Sequence, residues 1–197
     1  MKNKPDRHPN RLSRFDYSQN GGYFLTLCAK DRQPLFGHFP NACVGGGVLD
    51  APLLQLSGWG KIVEGQLRAM SAYYPGVWID LYTIMPNHVH LLQRVARHNP
   101  AGLDTPDTAG ASRTPPPTNS VGNARANQIV PAFVSTFKRL TNRQANASLW
   151  QRGYHDHIIR NEADYQRIWR YIEGNPARWQ EDCLYIADVT NQIGRQP

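Results

Sequence analysis

The stretch VWIDLYTIMPNHVHLLQRV, residues 77–95, indicates the fold more strongly than any other part of the sequence. Hydrophobic and polar residues alternate along Val77–Ile84, as on a strand with one buried face, and the apolar run His88–Val95 follows almost at once. Pro86 and Asn87, which separate the two runs, are residues typical of turns. We therefore predict two antiparallel strands joined as a hairpin, with a pair of histidines just after the bend.

These two histidines, His88 and His90, are separated by one apolar residue. Because side chains alternate between the two faces of a strand, both imidazoles should project from the same face. Imidazole is the commonest protein ligand for divalent metals, and two histidines leave positions open for water or a substrate oxygen. The spacing indicates a catalytic metal site, although it also fits two partly solvated histidines that bind no ion.

A helix predicted after residue 161 is the second informative element. Asn161 is placed to cap it, and Pro176 should end it near Asn175. The face that packs on the sheet is predicted from apolar residues at helical spacing: Tyr165, Ile168, Trp169 and Ile172. At about 100° per residue, Tyr171 lies roughly 110° from the centre of this face, with Asn175 about 40° from Tyr171. Tyr171 is therefore predicted on the flank of the helix, with Asn175 one turn beyond it.

The order of the predicted elements is strand, helix, strand, strand, helix, strand, helix. Besides the hairpin and the last helix, they are a strand over Tyr23–Cys28, helices from Ser57 to about residue 73 and from Ile129, and a strand over His155–Arg160. Val48–Leu54 stands outside this order and is expected to form a minor strand or a hairpin arm. This order predicts an α+β fold of ferredoxin-like (RRM-like) type, an antiparallel sheet with packed helices. The strand with the histidines would be central, and the last helix would cross the face from which they project.

Length and composition predict one domain over residues 1–197. The chain is 40% hydrophobic and has a formal net charge of +7 with a pI near 9.5, which points to a polyanionic partner, by default nucleic acid. A basic N-terminal arm, residues 1–21, has five basic residues and one acid in its first 14 positions. Residues 98–128 are rich in proline and small polar residues and predict a flexible insertion, because they can bury too little surface to offset the entropy of ordering.

Cysteine usage and hydropathy predict a cytoplasmic protein, which would be nucleoid-associated when bound to DNA. Cys28, Cys43 and Cys183 are odd in number and form no Cys-X-X-Cys pair, which disfavours a disulfide framework or a zinc ribbon. The first apolar run, Tyr23 to Ala29, is too short and too late for a signal peptide. No run approaches the roughly 20 apolar residues of a membrane span, so we expect no membrane association.

Basic residues outside the predicted core are candidates for contact with DNA phosphates. They are Arg11, Arg14, Lys138, Arg139, Arg152, His157 and Arg160. His157 and Arg160 fit a structural pair at a strand edge equally well, and Trp150 is more typical of a core than of a base-stacking surface. A tyrosine hydroxyl can act as a nucleophile on phosphorus, and Tyr171 is favoured for that role because Asn175 lies one turn beyond it. The rival, Tyr154, lies close to Arg152 and His157, but it precedes a strand and has no partner one turn away.

Met85-Pro86-Asn87-His88-Val89-His90 resembles the HUH motif (His, bulky apolar, His) of single-tyrosine HUH transposases. Tyr171-Ile172-Glu173-Gly174-Asn175-Pro176 resembles the Tyr-X-X-X-Asn-Pro motif of their REP-associated branch. Weaker matches in the same order cover nearly the whole chain apart from residues 98–128: Phe15-Asp16-Tyr17, Thr26, Asp31-Arg32, Phe137-Lys138, Trp150-Gln151-Arg152 and Asp156-His157-Ile158-Ile159-Arg160.

The resemblance implies the HUH endonuclease fold and an enzyme that cuts and rejoins single-stranded DNA near hairpin ends, as in DNA transposition. It implies a divalent metal, Mg²⁺ or Mn²⁺, and no nucleotide cofactor. His88 and His90 would be metal ligands, Tyr171 the nucleophile that forms a 5′-phosphotyrosine, and Asn175 the third ligand, where relatives in the wider superfamily often have Gln. The partner would be single-stranded or hairpin DNA, and the protein a monomer or homodimer.

Two other classes of function remain compatible with the sequence. One is a non-catalytic regulator, derived from a transposase, that binds hairpin DNA without cutting it. Such a binder would have no use for two histidines and a tyrosine on the helix flank. The other is a metal-dependent hydrolase of small phosphate esters, which would not need the basic arm or the insertion.

Overall fold

A four-stranded antiparallel sheet with helices on both faces is the framework of the protein, as a computed structural model describes it for residues 15–40, 53–96 and 128–186. The strands are β1 (Gly21–Cys28), β2 (Gly37–His38), β3 (Gln55–Leu56), β4 (Val77–Met85), β5 (His88–Val95) and β6 (His155–Ile159). The helices are α1 (Gly58–Ala69), α2 (Ile129–Ala145) and α3 (Glu162–Gly174), and short 3-10 helices cover Lys30–Arg32, Met70–Ala72 and Pro176–Glu181.

The sheet order is β4-β5-β1-β6, which is the ferredoxin-like arrangement that the sequence predicted. β5 is an interior strand, paired with β4 on one side and β1 on the other. The predicted hairpin is confirmed, since β4 and β5 pair antiparallel up to Met85 and His88 on either side of the Pro86-Asn87 turn. β2 and β3 form a separate two-stranded ladder that the sequence did not predict.

Alternation of side chains along the strands divides the interior into two apolar layers. The main core includes Leu25, Leu27, Val89 and Leu91 from the strands, Val63 and Leu67 from α1, and Phe133 and Phe137 from α2. A smaller cluster on the opposite face joins Leu92 to Ile168 and Ile172 of α3, with Phe24, Tyr165 and Trp169 packed around it. Because His88 and His90 have the parity of Leu92, they face α3 rather than the main core.

Side-chain caps begin two of the helices where the sequence predicted them. Ser57 Oγ accepts a hydrogen bond from the amide of Gly60 at 3.0 Å, and Asn161 Oδ1 accepts one from the amide of Asp164 at 2.9 Å. α3 ends at Gly174, immediately before Asn175 and Pro176. The predicted N-termini of the first and last helices and the predicted C-terminus of the last are therefore close to those observed.

Two predictions about the first helix and the residues before it differ from the structure. Trp59 has helical spacing with Ile62 and Val63, which predicts it on the buried face of α1, but it is 39% exposed. Gly60 occupies that place instead, because it packs so closely against the Phe36 carbonyl oxygen that a Cβ there would lie 2.0 Å away. Leu53 and Leu54, at the end of the predicted minor strand Val48–Leu54, are not in a strand, and the rest of that prediction lies outside the described residues.

Several predictions fall on residues outside the described ranges, among them most of the basic arm, with Arg11 and Arg14, and nearly all of the 98–128 segment. The chain becomes described again at Gln128, whose Oε1 accepts a hydrogen bond from the Tyr17 amide at 3.2 Å. Within the part of the chain that the structure describes, no helix combines the length and the apolar character that crossing a bilayer requires.

Candidate active site

The histidine pair lies at the start of β5, on the face of the sheet that α3 covers. His88 is 0% and His90 3% exposed, and their Nε2 atoms are 3.0 Å apart. The sheet fixes both backbones, because His88 is paired with Met85 and Cys28 and His90 with Thr83 and Thr26. A central strand, rather than a loop, therefore positions the two imidazoles.

Neighbouring polar side chains hold the other nitrogen of each ring. Nδ1 of His88 is 2.8 Å from Oδ1 of Asn87, and Nδ1 of His90 is 2.9 Å from Oγ1 of Thr26. An amide oxygen can only accept, so His88 donates from Nδ1 and its Nε2 keeps a free lone pair. These contacts aim both Nε2 atoms at one point, which is how metal-binding histidines are oriented in proteins.

The histidines are neutral at physiological pH. Burial, followed by the charge of His90, lowers the pKa of His88 to about 3, and burial also lowers the pKa of His90. Two imidazole nitrogens 3.0 Å apart need a proton or a cation between their lone pairs. Two ligands about 2.1 Å from one ion at a right angle lie about 3.0 Å apart, so the pair fits a bound metal.

Asp182, which follows the last 3-10 helix, places a carboxylate beside the pair. Its side chain is 1% exposed, with Oδ2 4.0 Å from Nε2 of His90, and ligand atoms of His88, His90 and Asp182 all lie within 4.8 Å of one another. Burial by itself would raise the pKa of Asp182. Hydrogen bonding with His90, Asn175 and the Leu184 amide outweighs burial and brings the pKa below its ordinary value. The carboxylate is therefore ionised.

Asn175 lies beside the carboxylate of Asp182. Its Nδ2 donates to Oδ2 of Asp182 at 2.9 Å, and the residue is 4% exposed. Its Oδ1 is buried and has no hydrogen-bond partner among the described residues. A buried amide oxygen without a partner is costly, and a bound cation would satisfy it. The carboxylate and the two imidazoles form a cluster of donors that fits a divalent metal ion.

Tyr171 reaches the same point from α3. Its hydroxyl oxygen lies 3.4 Å from Nε2 of His90 and 3.5 Å from Oδ2 of Asp182. The ring packs edge-on against Phe24 and His90, with centroid distances of 5.9 and 5.3 Å. Burial, followed by the charge of Asp182, raises the pKa of Tyr171 to about 12, so the hydroxyl is protonated.

The tyrosine also faces solvent. Tyr171 is 36% exposed and lines an open cavity of about 300 Å³ together with Asn175, Arg178 and Asp182. The predicted flank position of Tyr171 thus places its hydroxyl both beside the histidines and within reach of a molecule from solution. Arg178 contributes the positive charge at the cavity wall.

Tyr154, the rival nucleophile, and two candidate DNA contacts, Lys138 and His157, make contacts typical of structural residues. Tyr154 is 5% exposed and belongs to the main core, as does Trp150. Lys138 donates from Nζ to the carbonyl oxygens of Gln151 and Gly153, and its Nζ lies 5.8 Å from the centroid of the Trp150 ring. His157 Nε2 is 2.8 Å from Oδ2 of Asp164, so its partner at the strand edge is not the side chain of Arg160. Arg139, Arg152 and Arg160 are exposed.

Sequence reasoning missed Asp182 and Arg178. Both follow Pro176, in a segment without helical or strand periodicity, and Asp182 stands seven positions after Asn175. The chain folds back through the 3-10 helix Pro176–Glu181, which is what brings Asp182 to the histidines. Apart from its acidic character, no feature of the sequence connects Asp182 to residue 90.

Comparison with solved structures identifies the fold. A REP-associated tyrosine transposase, solved bound to a REP hairpin, matches 86% of this chain and 73% of its own with a TM-score of 0.55 at 14% identity. A candidate transposase from Deinococcus radiodurans R1 matches 83% of this chain and 97% of its own at 18% identity, but its TM-score of 0.35 is too low to support a conclusion. The protein has the α+β fold of the REP-associated tyrosine transposases, an HUH transposase fold.

A sequence relative places the chain in a family. A Haemophilus influenzae protein, described only as uncharacterized, is 31% identical over 185 residues, which are 91% of this chain and 93% of that protein. The chain belongs to the same family as this protein. No protein-family model matches it.

Proposed function

We propose that the protein is a metal-dependent single-stranded DNA endonuclease and strand transferase that cuts near hairpin DNA through a 5′-phosphotyrosine intermediate. The observation that carries the proposal is the Tyr171 hydroxyl 3.4 Å from a buried histidine pair, with an ionised carboxylate beside them. The solved transposase with this fold was bound to a REP hairpin, which supports hairpin DNA as the substrate. The substrate would be chromosomal, so the protein would act in the bacterial cytoplasm.

The proposed metal ligands are His88, His90, Asp182 and Asn175. Asp182 is added to the set indicated by the sequence because its carboxylate shares the cluster with both imidazoles. A divalent cation bound there would supply positive charge to the non-bridging oxygens of the scissile phosphate. Asn87 and Thr26 keep the two imidazoles oriented for this role.

In the proposed reaction the oxygen of Tyr171 attacks phosphorus. The new bond joins that oxygen to phosphorus, the bond from phosphorus to the 3′ oxygen breaks, and the tyrosine proton leaves while the 3′ oxygen gains one. The phosphotyrosine conserves the energy of the phosphodiester, so a 3′ hydroxyl of another strand can attack it and reseal the joint.

Charge at the site explains why a cation is needed before DNA. The buried Asp182 carboxylate repels a phosphate that approaches Tyr171, and it raises the pKa of the tyrosine that must lose a proton. Arg178 at the cavity wall and the net charge of +7 attract the strand, but neither lies within the buried cluster. Neutralisation of Asp182 is therefore part of assembling the reactive complex.

The decisive experiment is to incubate the protein with labelled single-stranded hairpin DNA and Mn²⁺ and to look for an adduct that survives denaturant. The wild type should form it and Tyr171→Phe should not, since phenylalanine has no oxygen to attack with. Tyr154→Phe is the control for the rival nucleophile and should still form the adduct. Mass spectrometry should find the nucleotide on the peptide that contains Tyr171. Absence of any adduct from the wild type would favour a regulator that binds hairpin DNA without cutting it.

A further inference from the structure

A second cavity lies beside the histidine pair, near His88. It has a volume of about 110 Å³ and is lined by Phe39, Trp179, Tyr185, Pro34 and Pro86, among others. We call it the aromatic pocket. Proposed metal ligands do not line it, so the chemistry described above leaves this pocket without a role.

The walls of the aromatic pocket are suited to a flat ring. Trp179 and Tyr185 meet at nearly a right angle, 5.2 Å between centroids and 73° between planes, and Phe39 lies 6.3 Å from Trp179. Tyr185 is 38% exposed, although large aromatic side chains are usually more buried than that. The volume is well below the roughly 300 Å³ at which pockets begin to hold drug-sized ligands, so it suits one planar ring system.

The pocket adjoins the candidate active site through one of its walls, Trp179. The ring of Trp179 lies 5.9 Å from that of His88, and His88 lies 4.4 Å from His90. Tyr171 contacts the other histidine, His90, with 5.3 Å between the ring centroids. A strand whose phosphate lies at Tyr171 and the histidines would therefore carry a neighbouring nucleotide past Trp179.

The residues that build the active site also hold the pocket in shape. The amide of Asp182 donates to the Trp179 carbonyl oxygen at 3.2 Å, and the amide of Tyr185 donates to the Asp182 carbonyl oxygen at 2.9 Å. Asn87, which orients His88, donates from Nδ2 to the carbonyl oxygen of Leu184 at 2.8 Å. These bonds preorganise the aromatic walls, which lowers the entropic cost of holding a ligand between them.

We propose that the aromatic pocket binds the base of the nucleotide next to the scissile phosphate, by stacking. Aromatic side chains are the usual means of holding unpaired bases, and stacking accepts any base because each has a π face. The proposal rests on the proposed function, since it takes single-stranded DNA as the substrate of this site. Stacking in the pocket keeps the strand in line with Tyr171 and excludes a paired base, which cannot enter so small a space.

The test compares two single-stranded probes of ten nucleotides by fluorescence anisotropy: oligothymidylate, and a strand of the same length made of abasic residues. Both have the same phosphates, so their ratio of Kd values reports contacts with bases. Wild-type protein should prefer the thymine strand. Tyr185→Ala should weaken binding of that strand about ten-fold and leave the abasic strand unaffected.

Two variants control for other effects of the substitution. Tyr185→Phe keeps the ring and should keep the preference. Tyr73→Ala removes a tyrosine of matched exposure, 39%, that follows the 3-10 helix Met70–Ala72 and does not line the aromatic pocket, and it should also keep the preference. An equal loss with both probes in Tyr185→Ala, or an unchanged preference, would overturn the proposal.

A second measurement locates the base directly. Oligonucleotides with 5-iodouracil should crosslink on irradiation to Trp179, Tyr185 or Phe39, and crosslinks found only at other aromatic residues would refute the assignment. The adduct assay with Mn²⁺ separates the two levels of inference. Adduct formation by the wild type without base preference would reject the pocket alone, whereas base preference without any adduct would reject the proposed catalysis alone.

Discussion

Asp182 is the residue whose charge matters most to the candidate site. It is ionised and buried beside two neutral histidines, so the cluster has one net negative charge before any ion binds. A buried charge without compensation is costly in free energy. The hydrogen bonds from Asn175 and from the Leu184 amide offset part of that cost. A divalent cation would offset the remainder.

Replacement of Asp182 by asparagine tests this reading. Asp182→Asn should weaken Mn²⁺ binding roughly 10- to 100-fold, measured by calorimetry, because it removes the anionic donor. It should also reduce the gain in DNA affinity that Mn²⁺ produces, since less repulsion remains to be neutralised. Glu173→Gln is the matched control: it removes the same charge from an exposed residue of α3 that does not line the cavity, and it should leave Mn²⁺ affinity near that of the wild type. Equal effects of the two variants would contradict a direct role for Asp182.

The depressed pKa of His88 predicts acid sensitivity of the metal-free protein. The unfolded chain takes up a proton near pH 6.5, whereas folded His88 resists protonation down to about pH 3. The unfolded state therefore binds more protons in this window, and stability should fall as pH decreases from 6.5, by up to about 1.4 kcal/mol per pH unit for one histidine. Urea unfolding between pH 4.5 and 7 in chelator should show a shallower slope for His88→Gln. Parallel slopes would show that His88 does not titrate with unfolding.

At the scale of elements, α3 determines whether Tyr171 and Asn175 reach the histidines. Ile168 and Ile172 pack its inner face on Leu92 of β5. A bulge in β4 between Ile79 and Leu81 takes Asp80 out of the regular pairing with β5. The Asp80 carboxylate accepts a hydrogen bond from the Tyr165 hydroxyl at 3.1 Å and two from the guanidinium of Arg94. The helix is thereby held both at its apolar face and at a polar contact with the sheet.

The N-cap of α3 gives a prediction of its own. Asn161→Ala should lower the free energy of unfolding by about 1 kcal/mol, because the amide of Asp164 loses its acceptor. Asn161→Asp keeps an acceptor and adds a negative charge at the helix N-terminus, so it should match or exceed the wild type. Chemical denaturation of the three proteins measures both effects. If alanine and aspartate gave the same stability, the cap would not contribute to holding α3.

At the scale of the whole molecule, binding and cutting are expected to depend on different surfaces. The net charge of +7 is spread over the chain, whereas the chemistry is confined to one buried cluster. Replacing both His88 and His90 by alanine should abolish cleavage. In chelator, without divalent metal, it should leave salt-dependent DNA binding within about three-fold of the wild type, with an unchanged slope against salt. Thermal unfolding should first show that the variant folds. Filter binding at several salt concentrations then measures its DNA affinity and the salt dependence of that affinity. Normal cleavage by the variant would place the metal site elsewhere.

The long segment between β5 and α2 is predicted to be dispensable for folding. Residues 100–126 contain few large apolar side chains and so contribute little burial. A protein without them should unfold cooperatively with nearly the same midpoint, since Gln128 and Ile129 are held by Tyr17 and Ser18 through contacts that the deletion leaves in place. Loss of a cooperative transition in thermal unfolding would show that the segment is structural.

Local patterns were sufficient to predict much of the fold and half of the candidate site. Alternation in β4 and β5 predicted the hairpin and the common face of His88 and His90, and helical periodicity predicted that Tyr171 lies outside the buried face of α3. Both predictions depend on the fixed period with which side chains repeat along a strand or a helix, so the residues of one segment are sufficient for each prediction. The caps at Ser57 and Asn161 were predictable for the same reason.

Other features depend on contacts between residues distant in sequence. Asp182 joins His90, 92 positions earlier, and Trp179 joins His88, because a short 3-10 helix returns the chain to the sheet after Pro176. Gly60, and not Trp59, lies on the buried face of α1 because the Phe36 carbonyl oxygen packs directly against Gly60. The sequence by itself therefore determined the strands, the helices and the direction in which the histidines point. Only the tertiary structure decided that an ionised carboxylate and an aromatic pocket adjoin them, since local periodicity contains no information about which distant segments meet.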